Sequence, residues 1–292
     1  MITVQVTAHP NGNMIVTKND CVLWSYVSPV GDIDHHASIM LWDGSSEPEL
    51  WLRSEFEASD FFMHATEESI YIMERRHQYS TDTFMARVWK TSLDLESPRV
   101  IWDWFVDTWR IGEGGFQMLS DSKLVFVSYP KIYVLIPGGK PTPYFEFPSK
   151  LVKMRPVGEN ILLIGNDMIW LTDHSGSIMK EWKGLLQKVR QNMPLNRNQI
   201  FDAAYMDGTL LLAYWGNRSF DLIDNTGKRR LLDQLAPPWV PHWVAFVDGN
   251  PLLFASYMDF KNGFTEDRSK TTIRPNLVML TDLGKVSVWT QE

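Results

Sequence analysis

Residues Asn160–Trp182 read NILLIGNDMIWLTDHSGSIMKEW, and this stretch decides the fold. An apolar run (Asn160–Ile164) is followed by a polar loop (Gly165–Asp167) and a second run ending at Asp173. A D-x-x-G turn (Asp173 to Gly176) leads into a last run that closes on Trp182. Short β-favouring runs between turn signals predict antiparallel strands. The same arrangement recurs along the chain, which predicts a repeat architecture.

The first copy runs NMIVTKND, CVLWSYV, a long loop SPVGDIDHHA and SIMLWDGSSEPELWLRS. The second contains DFFMHATEES, IYIMER and TFMARVWKTSLDLESPRVIWDW. The third is compact, with FQMLSDS, KLVFVSY and IYVLIPGGKPTPYFEF. The fourth is the opening stretch, the fifth begins FDAAYMDG, and the sixth begins HWVAFVDGN and ends NLVMLTDLGKVSVWTQ. Each copy carries four short strands, and four-stranded sheets repeated radially make a propeller. The expected fold is therefore all-β, a six-bladed β-propeller with four antiparallel strands per blade. It spans residues 1–292 as one domain, with blades near 12–54, 60–105, 115–148, 151–183, 200–234 and 242–290.

Asp43-Gly44, Pro137-Gly138-Gly139, Asp173–Gly176, Asp224–Gly227 and Asp282–Gly284 mark the turns between third and fourth strands. Asp bonds its own backbone two residues on, and Gly supplies the positive φ of a tight hairpin, so these residues are structural. Two segments depart from the repeat. Trp182, Leu185, Leu186, Val189 and Met193 recur at three-and-four spacing and predict a short helical insertion near 180–193, stopped by Pro194. Ile2–Thr7 is left over, and residues 1–8 are expected to close the ring or add a strand beside Val286–Thr290.

The pattern h-x-h-D-x-x-G followed by an aromatic resembles the repeats of six-bladed propellers and of quinoprotein-like propellers. That resemblance implies architecture and not activity, because propellers host many unrelated functions. Quinone-cofactor enzymes of that kind are longer and carry secretion signals, so their cofactor is not carried over and no cofactor is expected.

Composition narrows the partners. The 292 residues carry 28 basic and 35 acidic side chains for a net charge of −7, with no Lys/Arg block, so a nucleic-acid partner is not expected. No apolar run approaches the roughly 18 residues of a membrane span, so no membrane partner is expected. The single cysteine, Cys21, excludes an intrachain disulfide and reads as a packing thiol. The N-terminus has neither a basic nor an apolar leader region, which predicts a cytoplasmic protein, or a secreted one whose leader was removed.

Strand order sorts the loops. The second-to-third-strand loops and the connections between blades share one face; the other hairpin turns share the opposite face. The long, irregular loops gather on the first. Five of the seven histidines (His35, His36, His64, His77, His242) map to that face or just below it. The expected ligand-binding residues are Asp34, His35, His36, Arg75, His77, Tyr129, Asn166, Trp215, Asn217, Arg218, His242 and Tyr257.

Three uses of that face are open. Trp215, Tyr129, Tyr257, Trp239 and Trp243 suit stacking against a small polar ligand or a glycan, with Arg75, Arg218 and Asn217 as hydrogen-bonding partners. The same residues suit a protein partner. Asp32, Asp34, His35, His36 and Glu74, Asn166 or Asp167 could instead hold a divalent ion over the channel, which resembles the six-bladed lactonase family and implies metal-dependent hydrolysis. Adjacent His35-His36 would point apart on a strand, against a shared ion. The leading expectation is non-catalytic recognition, without assigned catalytic or metal-binding residues. Hydrolysis of lactonase type is the alternative. Gly112–Gly115 reads as a connector, and Trp102, Trp104 and Trp109 as cover for the outer edge of the second sheet. No G-x-S-x-G, phosphate loop or H-E-x-x-H motif is present.

Overall fold

The computed structural model describes residues 9–28, 36–44, 47–186, 199–259, 272–281 and 284–290. They form strands, and among them there is no helix. The first sheet holds β1 (His9–Val16), β2 (Val22–Ser28), β3 (His36–Trp42) and β4 (Glu49–Glu57). The second holds β5 (Ser59–Ala65), β6 (Ser69–Gln78), β7 (Thr83–Ser92) and β8 (Arg99–Val106). The third holds β9 (Phe116–Ser120), β10 (Lys123–Ser128), β11 (Lys131–Leu135) and the two-residue β12 (Thr142–Pro143). The fourth holds β13 (Lys153–Val157), β14 (Asn160–Ile164), β15 (Met168–Thr172) and β16 (Ile178–Lys183). The fifth holds β17 (Ile200–Met206), β18 (Thr209–Tyr214), β19 (Ser219–Ile223) and β20 (Arg229–Gln234). The sixth holds β21 (Trp239–Val247), β22 (Asn250–Asp259), β23 (Thr272–Thr281) and β24 (Gly284–Thr290). In every sheet the strands lie in chain order and pair antiparallel.

Side-chain alternation explains how the sheets stack. On β10, Val125 and Val127 pack toward the fourth sheet, while Leu124 and Phe126 pack toward the second. On β14, Ile161 and Leu163 face the third sheet, and Leu162 and Ile164 face the fifth. β2, β6, β18 and β22 divide in the same way between their two neighbours. A strand buried on both faces must be apolar throughout, whereas a strand with one wet face alternates. The continuous runs NILLI and TLLLAY are therefore what a sheet between two sheets requires. First strands adjoin one another in the order β1, β5, β9, β13, β17, β21 and back to β1. Burial is deep in the second strands and gives way to exposure in β4, β8, β16 and β20. The result is an all-β propeller with four-stranded antiparallel blades.

The hairpin turns are built as their residues dictate. Asp173 Oδ1 accepts the Ser175 and Ser177 amides at 2.8 and 2.9 Å, and Gly176 closes the turn at φ 87°. Asp224 repeats this with Thr226 and Lys228, closing at Gly227 with φ 84°. The hydroxyl of Ser175, then the amide of Ser177, hold the Asp173 carboxyl below its usual range. The turn at Asp282–Gly284 lies mostly outside the described residues.

The helical insertion is corrected over its described part. Ile178–Lys183 is β16, with Ile169 opposite Trp182 and Trp170 opposite Glu181. Trp182 and Leu185 both enter the core between the fourth and fifth sheets, so the three-residue spacing reflects a strand and its exit, not a helix face. Strand pairing along β15 outweighs the intrinsic preference of so short a segment. Residues 187–193 of that insertion lie outside the described residues, as do residues 1–8 and any closing strand they form. Among the described residues the sixth sheet contains β21 to β24 alone, and it meets the first sheet through side chains such as Trp24, Met40, Trp243 and Phe254.

Candidate functional site

First strands all run from the long-loop face to the hairpin face and adjoin one another around a common channel. The channel narrows at Asn13 and Arg155, which border the cavities on both sides. Arg155 donates to both oxygens of Asp202 at 2.7 and 2.6 Å and to the Met14 carbonyl at 3.1 Å. Asp202, fully buried, also accepts the Val244 amide at 3.1 Å. One ion pair thus ties the fourth, fifth, first and sixth sheets. The Asn13 side chain forms a matched pair of 2.7 Å bonds with the Met63 amide and carbonyl, joining first sheet to second.

Lys153 lies beside this brace. Its Nζ donates to the Phe201 carbonyl at 2.7 Å and sits 4.1 Å from the centre of the Phe201 ring. Burial lowers its pKa to about 8, and the Asp202 carboxylate opposes that shift. Phe201 stacks on Trp215 at 5.1 Å, and His242 sets its ring edge-on against both. An aromatic seam therefore runs from the channel toward the rim of the fifth and sixth sheets.

The structure brings together one subset of the expected ligand-binding residues at that seam. Trp215, Asn217, Arg218, His242 and Tyr257 share it, with Tyr257 edge-on to Trp239 and Arg218 donating to the Trp239 carbonyl at 2.6 Å. Asn217, Arg218 and His242 are buried. A second subset lies on the second and third sheets. Arg75 belongs to β6 and not to a loop; it is buried between Asp60 and Glu113, each at 2.8 Å. Burial works against its charge, and Asp60, then Glu113, outweighs it. His77, also on β6, meets Asp82 at 2.8 Å and stacks on Phe84.

Tyr129 is 60% exposed. Asn166 is exposed on the fourth sheet, away from both subsets. His36 opens β3, with Nδ1 at 3.1 Å from the Ser54 carbonyl. Asp34, His35 and Asp32 lie outside the described residues. Glu74 is buried against Ser54, Arg87 and Trp89, and Asp167 Oδ1 accepts the Leu186 amide at 2.6 Å. Among the described residues no three His, Cys, Asp or Glu side chains gather as a metal would require.

Three further placements differ from the sequence reading. His64 sits one residue before the end of β5, so it lies at the hairpin end of the channel and not beneath the long loops. Trp109 does not cover a sheet edge: it stands in the connection after β8, against Phe126 and Tyr133 of the third sheet. Trp102 faces the core instead, and donates its indole N–H to the Asp121 carbonyl at 2.7 Å.

Trp109 belongs to an exposed strip with Tyr129, one of the expected ligand-binding residues, and Tyr79. Tyr79, Trp109 and Tyr129 are 57%, 38% and 60% exposed, and all three stand on the long-loop face. Contacts link them: Tyr79 to His77, His77 to Phe84, Phe84 beneath Arg110, and Ser128 donating to the Trp109 carbonyl. Asp107, two residues before Trp109, is buried with one carboxylate oxygen lacking a hydrogen-bond partner among the described residues, and burial raises its pKa to about 6. A separate apolar hollow of about 780 Å³ lies between β8 and the segment after β11, where the short β12 leaves the second sheet uncovered.

No protein-family model matches the chain, and no curated protein matches it. Solved structures do. A catalytically inactive virginiamycin B lyase from Staphylococcus aureus with quinupristin matches at TM-score 0.51 and 11% identity, over 97% of this chain and 85% of that one. An α-L-arabinofuranosidase from Fusarium graminearum with an iminosugar inhibitor matches at TM-score 0.55 and 8% identity, over 95% and 93%. A protein of unknown function from Dyadobacter fermentans matches at TM-score 0.55 and 11% identity, over 94% and 95%. Likeness at such identities concerns the fold, and it agrees with a β-propeller.

Proposed function

We propose that the chain is a single six-bladed domain that recognises a protein partner through its long-loop face, without catalysis. The blade count is supported by the apolar cores that join each sheet to the next and the sixth to the first. The third sheet, with its two-residue β12, counts as a blade because it packs against both neighbours. The observation that carries the recognition reading is the Tyr79–Trp109–Tyr129 strip, flanked by the exposed cations Arg110 and Lys131. Tyr, Trp and Arg dominate binding energy at protein interfaces, because large rigid groups bury much area for little lost freedom. The strip lies over packed strands, so it is held ready for a partner.

The test is a comparative capture experiment. Wild type, a Tyr79→Ser/Trp109→Ser/Tyr129→Ser variant and a hairpin-face control, Lys228→Ser, are immobilised and exposed to extract. A partner held by wild type and the control but lost by the triple variant is the expected result. If the variant keeps its circular dichroism and melting temperature yet no protein separates it from wild type, the reading fails.

A further inference from the structure

The hollow of about 780 Å³ beside β8 exists because the outer part of the third sheet turns away from the second. Tyr144, Phe145 and Phe147, which follow β12, pack toward the fourth sheet, where Phe147 lies edge-on to Trp170. None of the described residues 136–150 joins the core between the second and third sheets. Phe105, Trp109 and the buried Trp102 line the hollow on the side of β8, and Ile136, Pro137 and Pro141 on the other. Ile136 and Val106 are left exposed there. Exposed apolar surface of this kind marks a place where something binds. A concave, mostly apolar space of this volume is within the range of small-molecule sites.

Charge selects the kind of molecule. Asp103 and Asp107 also line the hollow, against one cation among its lining residues, Lys140. Asp103 accepts the Trp104 amide at 2.8 Å and Asp107 the Ile111 amide at 3.1 Å, and neither has a cation within ion-pair distance among the described residues. Arg75 acts on Asp107 from farther away and is itself held by Asp60 and Glu113. With a pKa of about 6, Asp107 is ionised at pH 7. Lys140 sits in the exposed segment after β11, where its long stem lets the ammonium stay in water. The rings of Trp102 and Phe105 stand 5.9 Å apart, and the faces of such rings attract cations. An acid would meet like charge on two carboxylates, and a neutral molecule would leave that field unused.

We propose that this hollow binds a small organic amine with an apolar two-ring body, its rings between Phe105 and Ile136 and its ammonium toward Asp103 and Asp107. Trp109 is shared with the recognition strip, but the amine needs no protein partner, so the two readings fail separately.

Titration calorimetry with tryptamine tests the proposal. Tryptophol and indole-3-propionate keep the two rings and replace the ammonium with a hydroxyl or a carboxylate. Tryptamine should bind roughly tenfold more tightly than tryptophol, and indole-3-propionate should bind weakest. Asp103→Asn/Asp107→Asn should bring tryptamine down to the affinity of tryptophol and leave tryptophol unchanged, a split that lost packing would not produce. A crystal grown with 5-bromotryptamine should place the bromine between β8 and the segment after β11. No heat at millimolar tryptamine, equal binding of tryptamine and tryptophol, or bromine elsewhere overturns the proposal. A folded double variant that keeps the preference for tryptamine does the same; where that variant does not fold, the bromine position decides.

Discussion

Two buried titrating groups act on stability in opposite directions. His64 has a folded pKa of about 3 against 6.5 for a free imidazole, so the unfolded chain binds the proton first. Stability is fully present above pH 6.5 and declines as pH falls through that window toward 3. Asp107 has a folded pKa of about 6 against 3.8, so the folded chain holds the proton more tightly. Its burial therefore destabilises above pH 6, and that penalty is relieved as pH falls toward 3.8. Urea unfolding of His64→Gln between pH 3 and 8 should show a flatter acid limb than wild type. Asp107→Asn keeps the acceptor for the Ile111 amide at 3.1 Å and removes the buried charge. It should stabilise the protein at pH 7 by on the order of 1–3 kcal/mol, with no gain near pH 4.

At the scale of the element, the hairpins give a controlled comparison. Gly176 and Gly227 occupy equivalent turns at φ 87° and 84°. A Cβ on Gly227 would meet nothing within 4 Å, whereas one on Gly176 would lie 2.7 Å from the Phe145 ring. Gly227→Ala should cost only the left-handed backbone penalty, about 1–2 kcal/mol. Gly176→Ala should cost more, read as a lower urea midpoint. These turns were legible in the sequence because an Asp three residues before a Gly states its own geometry. The strands of NILLI and TLLLAY were legible for the same local reason. The segment after β15 was not: Trp182 and Leu185 fit a helix by spacing, and only pairing with Ile169 on β15 decides otherwise. Among the candidate site residues, sequence could sort loops onto a face but could not say which side chains stay in water. Arg75 looks like a loop arginine until Asp60 and Glu113 enclose it. Trp109 reads as edge cover until Tyr133 fixes it in a connection.

The whole molecule depends on contacts that no local pattern announces. Arg155 and Asp202 are 47 positions apart and look like ordinary strand charges, yet together they hold four sheets. Arg155→Met would leave the Asp202 charge buried without its partner and should lower stability by about 3–5 kcal/mol. Arg155→Met/Asp202→Leu removes both charges and should recover most of that loss in chemical denaturation, since a paired apolar replacement is often neutral. Failure of the double variant to recover would mean that the hydrogen bonds to Met14 and Val244 matter more than the charges.

The two-residue β12 has one more consequence, for behaviour in concentrated solution. A sheet that stops short leaves backbone donors and acceptors of β11 open to another chain, and such rows seed aggregates. Pro137, Pro141 and Pro143 stand where that stacking would begin, and proline offers no N–H to a visiting strand. Lys140 adds an exposed charge between them. Pro141→Thr/Pro143→Thr should therefore leave the folded monomer intact but raise light scattering on heating, and unchanged scattering would show that the edge is guarded by other means.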